Sequence, residues 1–294
     1  MGDMLVRLMP TRHSPFYTPF LALHAAGFLR QEGLESSLRL PAEGESTGAA
    51  LKHGEVDVIQ SAVSAAWTQF EKGNTDTPVH FAQINQRDGF FLAARNPDEA
   101  FTWKTLEGKT LLADHGHQPL VMLKWAVHNK GAEWTRIHVV NLGSAAAMKE
   151  AFLAGEGDYI HLQAGVPHQM AQDRVGHIVA SAGEGLPALA FSSIAAPRAW
   201  VESEAREPFL QAFARAKQWV RETPAAEVAR IVAPLFVDLS SEAVTAAITD
   251  AQRIGCWEGG ALIPRSHYAE AERVFLWANG IQRAHPYEAA CYSP

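Results

Sequence analysis

Short apolar runs alternate with stretches of helical period along the chain, and this alternation persists to about residue 194. Residues 5–9 read as a first strand. The loop Pro10-Thr11-Arg12-His13-Ser14-Pro15 then leads to a helix over 16–29, with Ser14 as N-cap and Pro15 at the first helical position. A strand over 34–40, a helix over 45–53 stopped by Gly54, a strand over 56–59 and a helix over 62–70 follow. Two apolar runs, 79–84 and 90–94, flank the polar turn Asn85-Gln86-Arg87-Asp88. The pattern then restarts: a strand over 109–113, the loop Asp114-His115-Gly116-His117, and a helix over 118–129 closed by Gly131. A strand over 137–141, a helix capped by Ser144 through 153, a strand over 157–160 and the loop 161–167 come next. Strands over 178–180 and 189–194 end the alternation. Beyond Glu207 the pattern is almost wholly helical, broken at Pro224, Pro234 and the loop 257–264; the tail from His285 shows no clear pattern.

Strands alternating with helices imply mostly parallel sheets flanked by helices, and here one supersecondary plan is used twice. The expected architecture is therefore a two-lobed α/β fold with a helical C-terminus. Residues 1–92 and 193–294 would form the first lobe and 93–192 the second, with hinge strands near 90–94 and 189–193.

Composition narrows the function classes. Hydrophobic residues at 47% and charged residues at 19% describe a globular chain, not a disordered one. A net charge of −7, with Lys and Arg scattered, leaves no basic surface to neutralise phosphates, so nucleic acid is not an expected partner. Two cysteines, Cys256 and Cys291, exclude a disulfide framework and argue against a Cys-based metal or cluster site; their pairing is open. No apolar run approaches the roughly 18 residues of a membrane span. The segment Met1-Gly2-Asp3-Met4-Leu5-Val6-Arg7 lacks the basic and apolar regions of a signal peptide, so the chain as written is expected in the cytoplasm. A mature form carrying an added Met would read the same and be periplasmic.

Several stretches resemble a known family, the substrate-binding proteins for nitrate, sulfonate, taurine and thiamine-pyrimidine precursors, which includes the yeast-type pyrimidine-precursor synthase. They are His24-Ala25-Ala26-Gly27-Phe28-Leu29-Arg30-Gln31-Glu32-Gly33-Leu34-Glu35, Gly54-Glu55-Val56-Asp57-Val58, Leu106-Glu107-Gly108-Lys109-Thr110, Ala151–Tyr159 and the helical ending around Trp219 and Glu222-Thr223-Pro224. The resemblance implies a periplasmic-binding-protein-like fold that closes on a small molecule, with an ABC permease as partner. It implies no cofactor.

In open α/β sheets ligands sit beyond the carboxyl ends of the strands. Polar residues fall beside expected helix starts in such loops: His13 and Ser14, Gln60 and Ser61, His115 and His117, His161 and Gln163. Backbone N–H groups and positive helix ends there favour an anionic or strongly polar ligand. Tyr17 could stack on a ligand ring, and Arg87 could grip a carboxylate or sulfonate through its bidentate fork, against a surface ion pair as its bland reading. Trp67 reads as core. His115 and His117 could serve one ion, yet no carboxylate or cysteine partners them at a recognisable spacing, so no metal site is expected. Asp57 and Asp158, each in a G-x-x-D context, read as holders of backbone N–H groups.

Binding of a small polar or anionic ligand (sulfonate, carboxylate or pyrimidine-like) is the leading reading. The alternative is a cytosolic enzyme on the same fold, using His13, His115 and His161 for acid–base work. Relatives by resemblance also include aromatic sulfinate desulfinases, yet neither enzyme chemistry transfers: the synthase's Cys-rich motif is absent, and His13-Ser14 stands where the desulfinases carry a cleft Cys.

Overall fold

A computed structural model describes residues 4–42, 44–113 and 117–293. In the first half, β1 (Met4–Met9), α1 (Thr18–Ala25), α2 (Phe28–Gln31), β2 (Leu34–Leu38), α3 (Thr47–Lys52), β3 (Val58–Ser61), α4 (Val63–Glu71) and β4 (Val79–Asn85) succeed one another. The second set comprises β5 (Phe90–Ala94), β6 (Thr110–Ala113), α5 (His117–Asn129), β7 (His138–Val140), α6 (Ala145–Leu153), β8 (Tyr159–Gln163), α7 (Val166–Gln172) and β9 (His177–Ser181). Strand β10 (Ser192–Ala196) then precedes the helices α8 (Arg198–Val201), α9 (Arg206–Glu222), α10 (Ala225–Val232), α11 (Ser241–Arg253), α12 (Arg265–Trp277) and α13 (Tyr287–Ala290).

The described strands form two five-stranded sheets of the same design, ordered β2-β1-β3-β10-β4 and β7-β6-β8-β5-β9. In each, three neighbouring strands are parallel and the fourth runs against them: β10 is antiparallel to β3 and β4, and β5 to β8 and β9. The protein is thus a two-lobed α/β fold with helices about each sheet. The chain passes from the first sheet to the second over 86–89 and returns over 182–191.

The two lobes repeat one stitch. Asp57 accepts from the Arg7 backbone N–H on β1 at 2.8 Å, and Asp158 accepts from that of Thr110 on β6 at 2.8 Å. Both aspartates lie just ahead of a central strand and satisfy an amide on its neighbour, the role their sequence context suggests.

Three details depart from the sequence reading. The helix expected over 16–29 is a 3₁₀ turn at Pro15–Tyr17 followed by α1 and α2, because Gly27 takes φ 71 and ends α1. Strand β8 continues to Gln163, so His161 lies inside a strand rather than on a loop. The tail, without a clear pattern in the sequence, is tied into the fold: Cys291 pairs with His80 in an isolated bridge, and both are buried. The C-terminal helices bear on both lobes, with α9 against α1 and α2, α11 against α7, and α12 against α5.

Candidate functional site

A cavity of about 150 Å³ opens between the sheets. From the first lobe it is walled by Thr11 and Arg12 after β1, Tyr17, Gln60 and Ser61 at the end of β3, and Ala62 and Ala65 at the start of α4. Phe90 opening β5, Gln118 and Pro119 opening α5, and Phe191 and Ser192 on the returning crossing complete it. This is the crevice beyond the carboxyl ends of the parallel strands, where the fold class binds ligands.

Its walls are held by hydrogen bonds that also fix side-chain directions. Gln60 Oε1 accepts from the backbone N–H groups of Thr11 at 2.9 Å and Arg12 at 3.2 Å, and Thr11 Oγ1 donates to Gln60 O at 2.5 Å. The loop bearing Arg12 is therefore pinned to β3. Among the described lining residues Arg12 is the charged one; its guanidinium lies 5.6 Å from the Phe90 ring centroid, a cation–π contact that spans the lobes. The N-cap of α4 is Ala62, with no side-chain cap, and Ala62 and Ala65 line the cavity, so the positive helix end lies beside it. Gln118 Oε1 accepts from Ser64 Oγ at 2.7 Å, and its Nε2 donates to Phe191 O. Gln163 Nε2 donates to Tyr17 Oη at 2.9 Å, and Ser14 Oγ donates to Ala164 O at 2.7 Å.

Of the sequence candidates, Tyr17, Gln60 and Ser61 line the cavity. Ser14 is buried, caps the Pro15–Tyr17 turn through the Phe16 N–H and ties the lobes together, while Gln163 stands behind Tyr17. His13 turns the other way: its ring stacks on Phe236 with centroids 4.4 Å apart, and desolvation there lowers its pKa against the opposing pull of Asp238. His161 is fully buried and stacks on Phe90, 4.9 Å between centroids, behind the wall. His13 and His161, which the enzyme reading names, stack on different neighbours. Arg87 bonds Leu186 O at 2.6 Å and Gly183 O at 3.4 Å, so its fork closes the crossing. His115 and the side chain of His117 lie outside the described residues. Trp67 is core, donating to Tyr268 Oη at 2.6 Å. Among the described residues no three His, Cys, Asp or Glu side chains gather as metal ligands.

Sequence reasoning passed over Arg12, Phe90, Gln118, Phe191 and Ser192. Arg12 was within reach, since it shares the first loop with His13. Ser192 was not, because β10 joins the first sheet from more than a hundred residues away.

The described fold is that of the two-lobed periplasmic-binding-protein structures. A family model for NMT1/THI5-like proteins matches residues 14–227, and the chain belongs to that family. The YtlA protein of Bacillus subtilis (strain 168) is 26% identical over 247 residues, covering 83% of this chain and 74% of that one. Two solved structures share the fold. The periplasmic aliphatic sulphonate binding protein SsuA of Escherichia coli superposes with a TM-score of 0.74 at 13% identity, covering 99% of this chain and 92% of its own. The alkanesulfonate-binding protein SsuA of Xanthomonas axonopodis pv. citri, bound to MOPS, gives 0.71 at 14% identity and 96% coverage of both chains. No helix among the described residues is long and apolar enough to cross a membrane.

Proposed function

We propose that the chain is the substrate-binding component of an ABC-type importer and holds a small polar or anionic organic ligand in the cavity between its lobes. The observation that carries this reading is the pairing, in one small cavity, of Arg12 and the uncapped start of α4 with the aromatic faces of Phe90, Phe191 and Tyr17. A cation and a helix N-terminus suit an anionic head, and ring faces suit a short organic body. The sulfonate-binding names of the two SsuA structures agree with such a ligand. Residues 86–89 and 182–191 act as the hinge between a first lobe that includes β10 and a second lobe running from β5 to β9. In this role the chain delivers its ligand to an ABC permease in the periplasm.

A thermal-shift screen of short alkanesulfonates, carboxylates and pyrimidines tests the reading, because a ligand of the native state raises the melting temperature by mass action. A stabilising anion should bind Arg12→Gln roughly 10- to 100-fold more weakly, the value of a charge-assisted contact. A transition unmoved by every compound would overturn the proposal.

A further inference from the structure

We infer that Ser192, with the buried Asn85 beside it in the sheet, makes the floor of the cavity a hydrogen-bonding subsite, and that the ligand bears a donor (a hydroxyl, amine or amide N–H) at the end remote from its anionic head. The inference rests on the cleft-binding reading and sharpens it.

Ser192 opens β10, is 2% exposed and lines the cavity. Its Oγ is shut off from solvent and has no hydrogen-bond partner among the described residues. Directly opposite in the antiparallel pair stands Asn85, the last residue of β4, wholly buried. The pairing is irregular there, with a register shift between Ser192 and Ser193, so Asn85 is a buried neighbour of Ser192 and not a second wall of the cavity. The direction of the Asn85 amide is set, since Nδ2 donates to Phe16 O at 3.2 Å. Its Oδ1 is therefore the end left over, and it too has no partner among the described residues.

Folded proteins rarely bury an oxygen without a partner, because the lost hydration is not recovered. Here two such oxygens stand on facing residues, and one of them borders a cavity. Asn85 Oδ1 can only accept, and the Ser192 hydroxyl can accept as readily as it donates. A donor entering from the cavity meets Ser192 Oγ, the one of the two that lines it. The neighbouring amides are already committed: Gln60 to the Thr11 and Arg12 backbone, Gln118 to Ser64 and Phe191. They shape the wall, and Ser192 is left to read the ligand.

The sheet order separates the two ends of the site. Strand β3 lies between β1, which leads to Arg12, and β10, which begins with Ser192. Two strand spacings are about 10 Å. A short chain with an anionic head and a terminal donor spans that interval and suits a cavity of about 150 Å³.

The test uses isosteric anion pairs that differ in the terminal donor: isethionate against 1-propanesulfonate, and 3-hydroxypropionate against butyrate. Titration calorimetry of the full chain should show the hydroxylated member of a pair binding at least ~10-fold more tightly than its isostere. Ser192→Ala should erase that preference, bind the isostere as the parent does, and melt no lower without ligand, since it removes an unpartnered hydroxyl. Equal affinities within each pair would overturn the subsite and leave the cleft reading standing. A Ser192→Ala chain that weakens both members alike would show a merely structural role and also overturn it. Silence from all four compounds would overturn the anion-binding cleft itself and the subsite with it.

Discussion

Ser64 on α4 donates to Gln118 on α5 at 2.7 Å, so one buried contact joins the two helices that begin at the cavity, each from a different lobe. Gln118 also donates to Phe191 O on the returning crossing. The amide thus meets three chain segments where the lobes meet. Replacing it by Leu keeps the volume and strands two buried partners. Gln118→Leu should cost about 2–3 kcal/mol of stability, because a buried polar group left unpaired loses its full desolvation penalty. Chemical denaturation measures this, and a loss under about 0.5 kcal/mol would show that the contact adds little.

Close approach at the crossing is a second determinant. Gly89 takes an ordinary backbone angle, yet a Cβ there would lie 2.1 Å from Phe16 Cδ2. Phe16 cannot retreat, since it is fully buried against Tyr17 and Phe191. Gly89→Ala should therefore destabilise the protein by about 2 kcal/mol or more through overpacking. It should also weaken ligand binding, because Phe16 packs against Tyr17 and Phe191, which line the cavity. A variant with parental melting temperature would mean that the crossing yields more easily than its packing implies.

How much of this was readable beforehand depended on whether the signal was local. The alternation of strands and helices and the paired G-x-x-D elements give the two-lobed fold, because each depends on residues close in sequence. Ser144 illustrates the point: it caps α6 by accepting from the Ala147 N–H at 3.1 Å, as its position suggests. The site was only half legible. From loop 10–15 Thr11 and Arg12 line the cavity, whereas His13 faces Phe236, a choice made by the distant segment after α10. His161 was misplaced because the polar residues of β8 mimic a loop, while strand pairing with Leu92 and Ala113 buries it. Ser192 depends on a strand that returns to the first sheet, and no local periodicity reports such a return.

His80 offers a pH test. It is buried on β4, its Nδ1 meets Ser193 Oγ at 2.7 Å, and burial pushes its pKa from 6.5 down to about 4. Between those values the unfolded chain binds a proton that the folded one refuses, so stability falls as pH drops from 6.5 toward 4. The interval corresponds to about 3 kcal/mol. Above pH 6.5 the group makes no difference. His80→Gln, which keeps a polar partner for Ser193 but does not titrate, should flatten the acid limb of the stability curve. Denaturation midpoints at pH 4.5 and 7 decide it: an unchanged difference between the two would assign the acid sensitivity elsewhere.

Lys217 should act at the opposite end of the scale. It is 2% exposed on α9, and Nζ donates to Gln83 O and Gly260 O, both at 2.9 Å. Desolvation, aided by nearby Arg221 and opposed by Glu258, lowers its pKa from 10.5 to about 7. Two carbonyls in place of a carboxylate leave the charge poorly compensated. From pH 7 to 10.5 the folded chain has released a proton that the unfolded chain retains, so this group makes stability rise with pH across that window. His267, which bonds Gln83 and has its own pKa lowered by burial and by Lys217, titrates below the window and does not confound it. Lys217→Met fills a similar volume without a charge. The difference in unfolding free energy between pH 7 and pH 9.5 should shrink in the variant, and a parental slope would mean that Lys217 keeps its proton in the folded state.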